Sequence, residues 1–199
     1  MSSKTTCPGP AFHGYVETTG NALRIVYAAI EDVVPRTSRR LNDTERRTMI
    51  KSGAVFVFSV AESGIKRWTD GMLWSPSRIQ GNFLVYRELS EKGYTRNSPL
   101  WYCDVLTHGQ QAGSSLPNDI GTIKNNGLMK KTITITHNGT DFHLISYYKK
   151  EDISCGRLQK PTTSHQIMAL HLPARMFQLE KLRSPPKIEI GPDGIERIE

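Results

Sequence analysis

The chain has 199 residues, of which 37% are hydrophobic and 23% charged, with 26 lysines and arginines against 19 aspartates and glutamates. That length suits one ordinary domain or two small interlocked ones with a core that needs no staples, and the composition rules against a fibrous or wholly disordered chain. The net charge of +7 points toward a polyanionic partner, and no apolar run approaches the ~18 residues a membrane-spanning helix needs.

The first segment, Met1 to Gly14, is polar and broken by Pro8 and Pro10, so no secretion signal is expected in it. Cys7, Cys103 and Cys155 are odd in number and far apart, which argues against a disulfide framework and for a reducing interior. Leu23, Val26, Ile30 and Val33 recur at helical spacing and predict a helix over 21–34, ended by Pro35. A basic loop follows at 35–40. Asn42 with Glu45 three residues on forms a capping box, so a second helix starts there, continues through Lys51 and stops at Gly53. Residues 54–60 read as a buried strand and 62–64 as a polar loop. Asp70-Gly71 is a turn signal, so 65–71 should protrude as a loop or hairpin tip. Ser75-Pro76 suggests one short helical turn, and 83–89 another strand.

Gly, Asn, Ser and Pro dominate residues 90–126, a variable connector with one ordered-looking island at 101–106. The strongest hairpin follows, with 129–136 alternating, Ile133 and Ile135 on one face, a turn at Asn138-Gly139, and 142–148 returning. A short helix near 150–158 and an apolar stretch at 167–172 come next. The proline-punctuated text from 178 to 199 predicts a mobile tail or one added strand at 187–190.

No catalytic site is expected. The six histidines stand at no zinc-ligand spacing, and no phosphate-binding glycine loop, nucleophile elbow or paired-cysteine motif occurs. His143, Cys103 and Cys155 read as packing residues. The charge surplus is local instead: residues 34–160 hold nineteen bases and eleven acids, while the flanks are near neutral. Within that middle, Lys66-Arg67-Trp68-Thr69-Asp70-Gly71 and Trp74-Ser75-Pro76-Ser77-Arg78 place bases beside a tight turn with small polar donors nearby. An arginine on such a tip fits a narrow A/T-rich minor groove, and Gly71 lets backbone approach the groove floor. Asp70 suits a turn cap or a partner that aims an arginine. Trp68 and Trp74 suit the base of the loop, contact with sugars, or plain core packing. Bases just upstream of Thr69 also fit a phosphorylation site.

These stretches resemble a known family. His13-Gly-Tyr-Val-Glu-Thr-Thr19, Pro35-Arg-Thr-Ser-Arg-Arg-Leu41, Ser52-Gly-Ala-Val-Phe56, Arg67-Trp-Thr-Asp-Gly71 and Trp74-Ser-Pro-Ser-Arg78 look like the first block of the WOPR family of fungal transcriptional regulators. Gly127-Leu-Met-Lys-Lys131 through Phe142-His-Leu-Ile-Ser-Tyr-Tyr148 resemble the second. The likeness covers residues 11–89 and 125–177, with the connector 90–124 and the tail 178–199 outside it. It implies an α+β fold, a mainly antiparallel sheet with flanking helices built from two intertwined blocks. It also implies sequence-specific binding of A/T-rich double-stranded DNA in the nucleus, with Arg67 to Gly71 as the reader and Arg36 to Arg40 on phosphates or a groove edge.

The expected DNA-binding set is Arg36, Thr37, Arg39, Arg40, Lys66, Arg67, Trp68, Thr69, Asp70, Gly71, Trp74, Ser75, Ser77, Arg78, Lys130 and Lys131, with no cofactor and no metal. Binding as a single copy is expected, since no heptad pattern occurs. Two other classes stay open: a single-strand binder using Phe142, Tyr147 and Tyr148 as a stacking face, and a non-catalytic module whose basic face meets acidic proteins.

Overall fold

The computed structural model describes residues 9–90, 122–172, 174–191 and 196–198. Besides three single 3-10 turns, five α-helices and eight strands are described: β1 (Phe12–His13), α1 (Thr19–Ile30), α2 (Asp43–Met49), β2 (Ala54–Ser59), α3 (Val60–Ser63), β3 (Arg78–Gln80), β4 (Phe83–Arg87), β5 (Met129–His137), β6 (Thr140–Tyr148), α4 (Lys150–Ser154), α5 (His165–Met168), β7 (Ile188–Ile190) and β8 (Glu196–Ile198). The expected island at 101–106 lies outside the described residues, as do Cys7 and Cys103.

Six strands form one antiparallel sheet in the order β1-β2-β6-β5-β4-β3. The hairpin of the second block is inserted between β2 and β4 of the first, which is the physical sense in which the two blocks intertwine. That hairpin follows the sequence closely. Thr136 pairs with Asp141 and His137 with Thr140. The two-residue loop between them takes Asn138 and Gly139 to positive φ (46° and 78°), the conformation an Asn-Gly turn supplies at low strain. Both edges of the sheet are short, two residues in β1 and three in β3, which limits edge-to-edge pairing.

All six residues of β2 are buried because the sheet is covered on both faces. Val55 and Val57 point into a core shared with Leu23, Ile25 and Val26 of α1, and with Ile133, Ile135 and Leu144. Ala54, Phe56 and Phe58 point the other way, into a second core with Leu41, Ile50, Ile65, Ile145 and Tyr147. The period-two pleat thus splits one apolar run between two cores. Trp68, Met72 and Trp74 pack on the second core, so the basic loop is the lid of that face.

Several boundaries differ from expectation. Helix α1 starts earlier, because Thr18 accepts a hydrogen bond from Asn21 N (3.1 Å) while the Asn21 side chain accepts from the Thr18 backbone. It ends at Ile30 rather than 34 because Arg36 Nη1 donates to the carbonyls of Ala29 and Ile30, taking over the helix end. Val33 is consequently exposed. Residues 60–63 form the one-turn helix α3, capped by Ser59 and closed by left-handed Gly64, where a polar loop was expected. Ser75-Pro76 starts no helix. Ser75 instead exchanges bonds with Arg87, its N–H donating to the Arg87 carbonyl (2.9 Å) and its Oγ accepting from Arg87 N (3.0 Å). The segment after 178 begins with Leu179 buried in the first core, and the added strand at 187–190 is found as β7, paired with β8 rather than with the main sheet.

Candidate nucleic-acid interface

No helix or strand runs through residues 64–73, so side chains fix this loop. They alternate. Lys66, Arg67, Thr69 and Gly71 are exposed, whereas Trp68 is half-buried and Asp70 is buried. Trp68 stacks on Phe58 with ring centroids 5.4 Å apart and 16° between planes, and it also meets Phe56 at 5.1 Å. Gly71 stands at φ +74°, a conformation L side chains rarely adopt, and the Arg46 guanidinium lies 3.9 Å from where a Cβ would be.

The Asp70 carboxylate is the hub. Oδ1 accepts from Met72 N (3.2 Å), and both oxygens accept from Trp74 Nε1 (3.0 Å each). Oδ2 also accepts from Lys130 Nζ (3.0 Å) and Tyr147 OH (2.8 Å). The Tyr147 oxygen in turn accepts from Trp68 Nε1 at 2.7 Å. Lys130 Nζ lies 4.4 Å from the centre of the Trp74 ring and 4.9 Å from that of Tyr86. Burial pushes the Lys130 ammonium down from its usual range, opposed by Asp70, and burial beside Asp70 pushes the Tyr147 phenol well up. Asp70 therefore caps the turn and pairs with a lysine rather than an arginine. Its negative charge faces inward, and the outward face of the loop is left basic.

The remaining expected residues separate by burial. Arg40 is exposed and donates from Nη1 to Thr69 Oγ1 at 3.3 Å, which joins the 35–40 segment to the loop. Arg39 is exposed and makes a two-pronged pair with Glu45 (2.7 and 2.9 Å), which holds the Glu45 carboxyl down at about 2. Ser77 and Arg78 are exposed at the β3 edge, and Ser75 is half-buried in its pairing with Arg87. Asp70 and Lys130 face each other inward, and three further residues of the expected set need correction. Thr37 is 1% exposed and cannot reach a partner from there. Arg36 is a structural clasp, paired with Asp32 (3.0 Å) and Glu62 (2.8 Å) while it caps α1. Lys131 is 2% exposed, donates to the carbonyls of Val16 (3.0 Å) and Glu17 (2.8 Å), and lies 3.9 Å from the centre of the Phe83 ring.

Lys131 carries a pH prediction. Burial depresses its ammonium from the ordinary 10.5 to about 8, so between those values the unfolded chain holds a proton that the folded chain has released. Stability from this group therefore rises with pH across that window. Relative to Lys131→Met, the wild type is expected to gain about 3 kcal/mol from pH 8 toward pH 10.5, read by denaturant titration. A pH-independent difference between the two would contradict the assignment.

Reading the sequence missed two participants. Tyr147 was read only as a stacking or core aromatic, yet its hydroxyl needed a buried partner. Arg46, on α2, carries no motif that would place it beside Gly71. Among the described residues no group of His, Cys, Asp and Glu could hold a metal ion, and no helix is long and apolar enough to cross a membrane.

The sequence profile described as the Gti1/Pac2 family matches residues 11–100 and 104–149. The chain is 42% identical over 187 residues to the global transcription regulator FGP1 of Gibberella zeae, covering 76% of this chain and 55% of that protein. It is 36% identical over 223 residues to the global transcription regulator sge1 of Gibberella moniliformis, covering 95% of this chain and 68% of that protein. The chain thus spans roughly half to two thirds of these regulators' lengths. Among solved structures it resembles the WOPR domain of Wor1 from Candida albicans in complex with 17-bp double-stranded DNA. The TM-score is 0.60 and the identity 37%, over 81% of this chain and 93% of that one.

Proposed function

The chain belongs to the Gti1/Pac2 family, and from that membership we propose that it is the sequence-specific double-stranded-DNA-binding unit of a nuclear transcriptional regulator. It recognises an A/T-rich element as a single copy, with the loop from Lys66 to Gly71 inserted in the minor groove. The observation that carries this reading is the loop itself: a basic tip of Lys66, Arg67 and Arg40-bonded Thr69, held on an inward-facing Asp70. Arginine on an anchored, glycine-bearing tip fits the strong negative potential of a narrow minor groove. Exposed bases at Arg39, Arg40 and Arg78 suit flanking phosphates, which supply affinity but little sequence information. A non-catalytic role agrees with relatives named as transcription regulators.

The single-strand alternative loses its platform, because Tyr147 and Tyr148 are buried at 0% and 5% exposure and Phe142 packs against the first core. Competition between duplex and single strand at several salt concentrations tests the proposal. Duplex is expected to win, with affinity falling steeply as salt rises. Preference for single strand, or salt-sensitive binding blind to sequence, would contradict it.

Thr69 supplies a regulatory test. A phosphate there would bring about two negative charges to the tip, beside Arg40. Thr69→Glu is expected to weaken duplex binding about tenfold, allowing for one like charge facing phosphates at short range. Normal affinity in a mobility-shift titration would remove Thr69 as a switch.

A further inference from the structure

The loop that presents Arg67 comes from the first block, but two of the groups that hold its Asp70 hub come from the second. Tyr147 sits on β6 and Lys130 on β5, and both donate to the same oxygen of Asp70. One phenol oxygen ties two loop anchors together, accepting from Trp68 Nε1 at 2.7 Å while donating to Asp70 at 2.8 Å. Arg67 immediately precedes the first of these anchors, and Asp70 follows it by three positions. We infer that Tyr147 is a positioning residue for DNA reading: its hydroxyl sets where Arg67 stands, so a buried residue of the second block governs sequence discrimination without itself touching DNA.

The physical basis is preorganisation. Residues 64–73 have no helix or strand of their own. A guanidinium on a loose loop would lose side-chain and backbone freedom on entering a groove, and would meet wrong sequences almost as well as right ones. Phosphate contacts tolerate such looseness, because they depend on charge more than on placement. Loss of the Tyr147 hydroxyl should therefore act on discrimination rather than on general affinity. The two aromatic rings packed against Trp68, Phe56 and Phe58, are untouched by that change, so the second core keeps its packing. Lys130, 12% exposed at its side chain, stays paired with Asp70 in the variant.

This inference rests on the DNA-reading function proposed above. The test is Tyr147→Phe, which deletes one oxygen, examined by two readouts. The first is amide hydrogen exchange over residues 66–72 in the absence of DNA. The second is the ratio of affinities for A/T-rich and G/C-rich duplexes of equal length. Exchange is expected to quicken in the loop and not in the β5–β6 hairpin. The affinity ratio is expected to fall about tenfold, the scale of one hydrogen bond to a charged group, while affinity for the G/C-rich duplex stays within about twofold.

If Tyr147→Phe fails to fold, Trp68→Phe removes the other end of the same relay and should reproduce both effects. A wild type with sequence preference that Tyr147→Phe leaves intact overturns the inference alone, whether or not exchange quickens. A wild type that binds duplexes without preference overturns the DNA-reading function and this inference with it.

Discussion

Arg67→Ala is expected to abolish most of the discrimination between A/T-rich and G/C-rich duplexes, at about 1–3 kcal/mol, while leaving thermal stability essentially unchanged. The separation of these effects follows from position. Arg67 is exposed on the loop tip, so its loss opens no cavity in either core. Trp68, Asp70 and Trp74 still hold the loop against the second core. What disappears is the guanidinium of the tip, while the Lys66 ammonium remains. Arg78→Ala provides the contrast. Arg78 is exposed on the short edge strand β3, where a phosphate is the natural contact, so affinity should fall for all duplexes alike and the salt dependence should weaken by about one unit of slope. Equal loss across sequences for Arg67→Ala, measured by competition titration, would move that residue from base edges to the backbone.

Asp70→Ala is expected to cost about 3–5 kcal/mol of folding stability, the range found when one member of a buried ion pair is removed. The side chain of Asp70 is 5% exposed and that of Lys130 12%. Its removal leaves an ammonium, a phenol and an indole N–H with no carboxylate to receive them. Asp70→Ala combined with Lys130→Met should recover a large part of the loss, since the double variant no longer strands a charge. Denaturant midpoints of the two variants decide the matter. A single variant within about 1 kcal/mol of wild type would mean that the hub does not hold the loop.

Much of the fold was legible because its signals are local. Asn138-Gly139 fixes the β5–β6 turn, Asn42 and Glu45 cap α2, and the apolar run at 54–59 is a strand. The two ends of α1 were not legible for two different reasons. Its capping box uses Asn21 where Glu or Gln is the usual signal, and its end is set by Arg36 folding back on carbonyls six and seven residues earlier. The basic tip at Lys66 and Arg67 could be picked out from residue types alone. Which charges face inward could not: Lys131 and the Val16 carbonyl are 115 positions apart, and Asp70 and Tyr147 are 77 apart. Neighbouring Lys130 and Lys131 look identical in sequence, yet the pleat sends them to opposite faces, one to the loop and one to the first core. Neither is left on the open surface where a phosphate would meet it.

Selection from a pool of random duplexes at near-physiological salt, followed by sequencing of the bound fraction, tests the reading loop most directly when wild type and Arg67→Ala are run side by side. Enrichment of one A/T-rich motif by the wild type, lost in Arg67→Ala, is the result expected. Binding without enrichment, or a motif retained unchanged by Arg67→Ala, would contradict the assignment of this loop as the reader of DNA sequence.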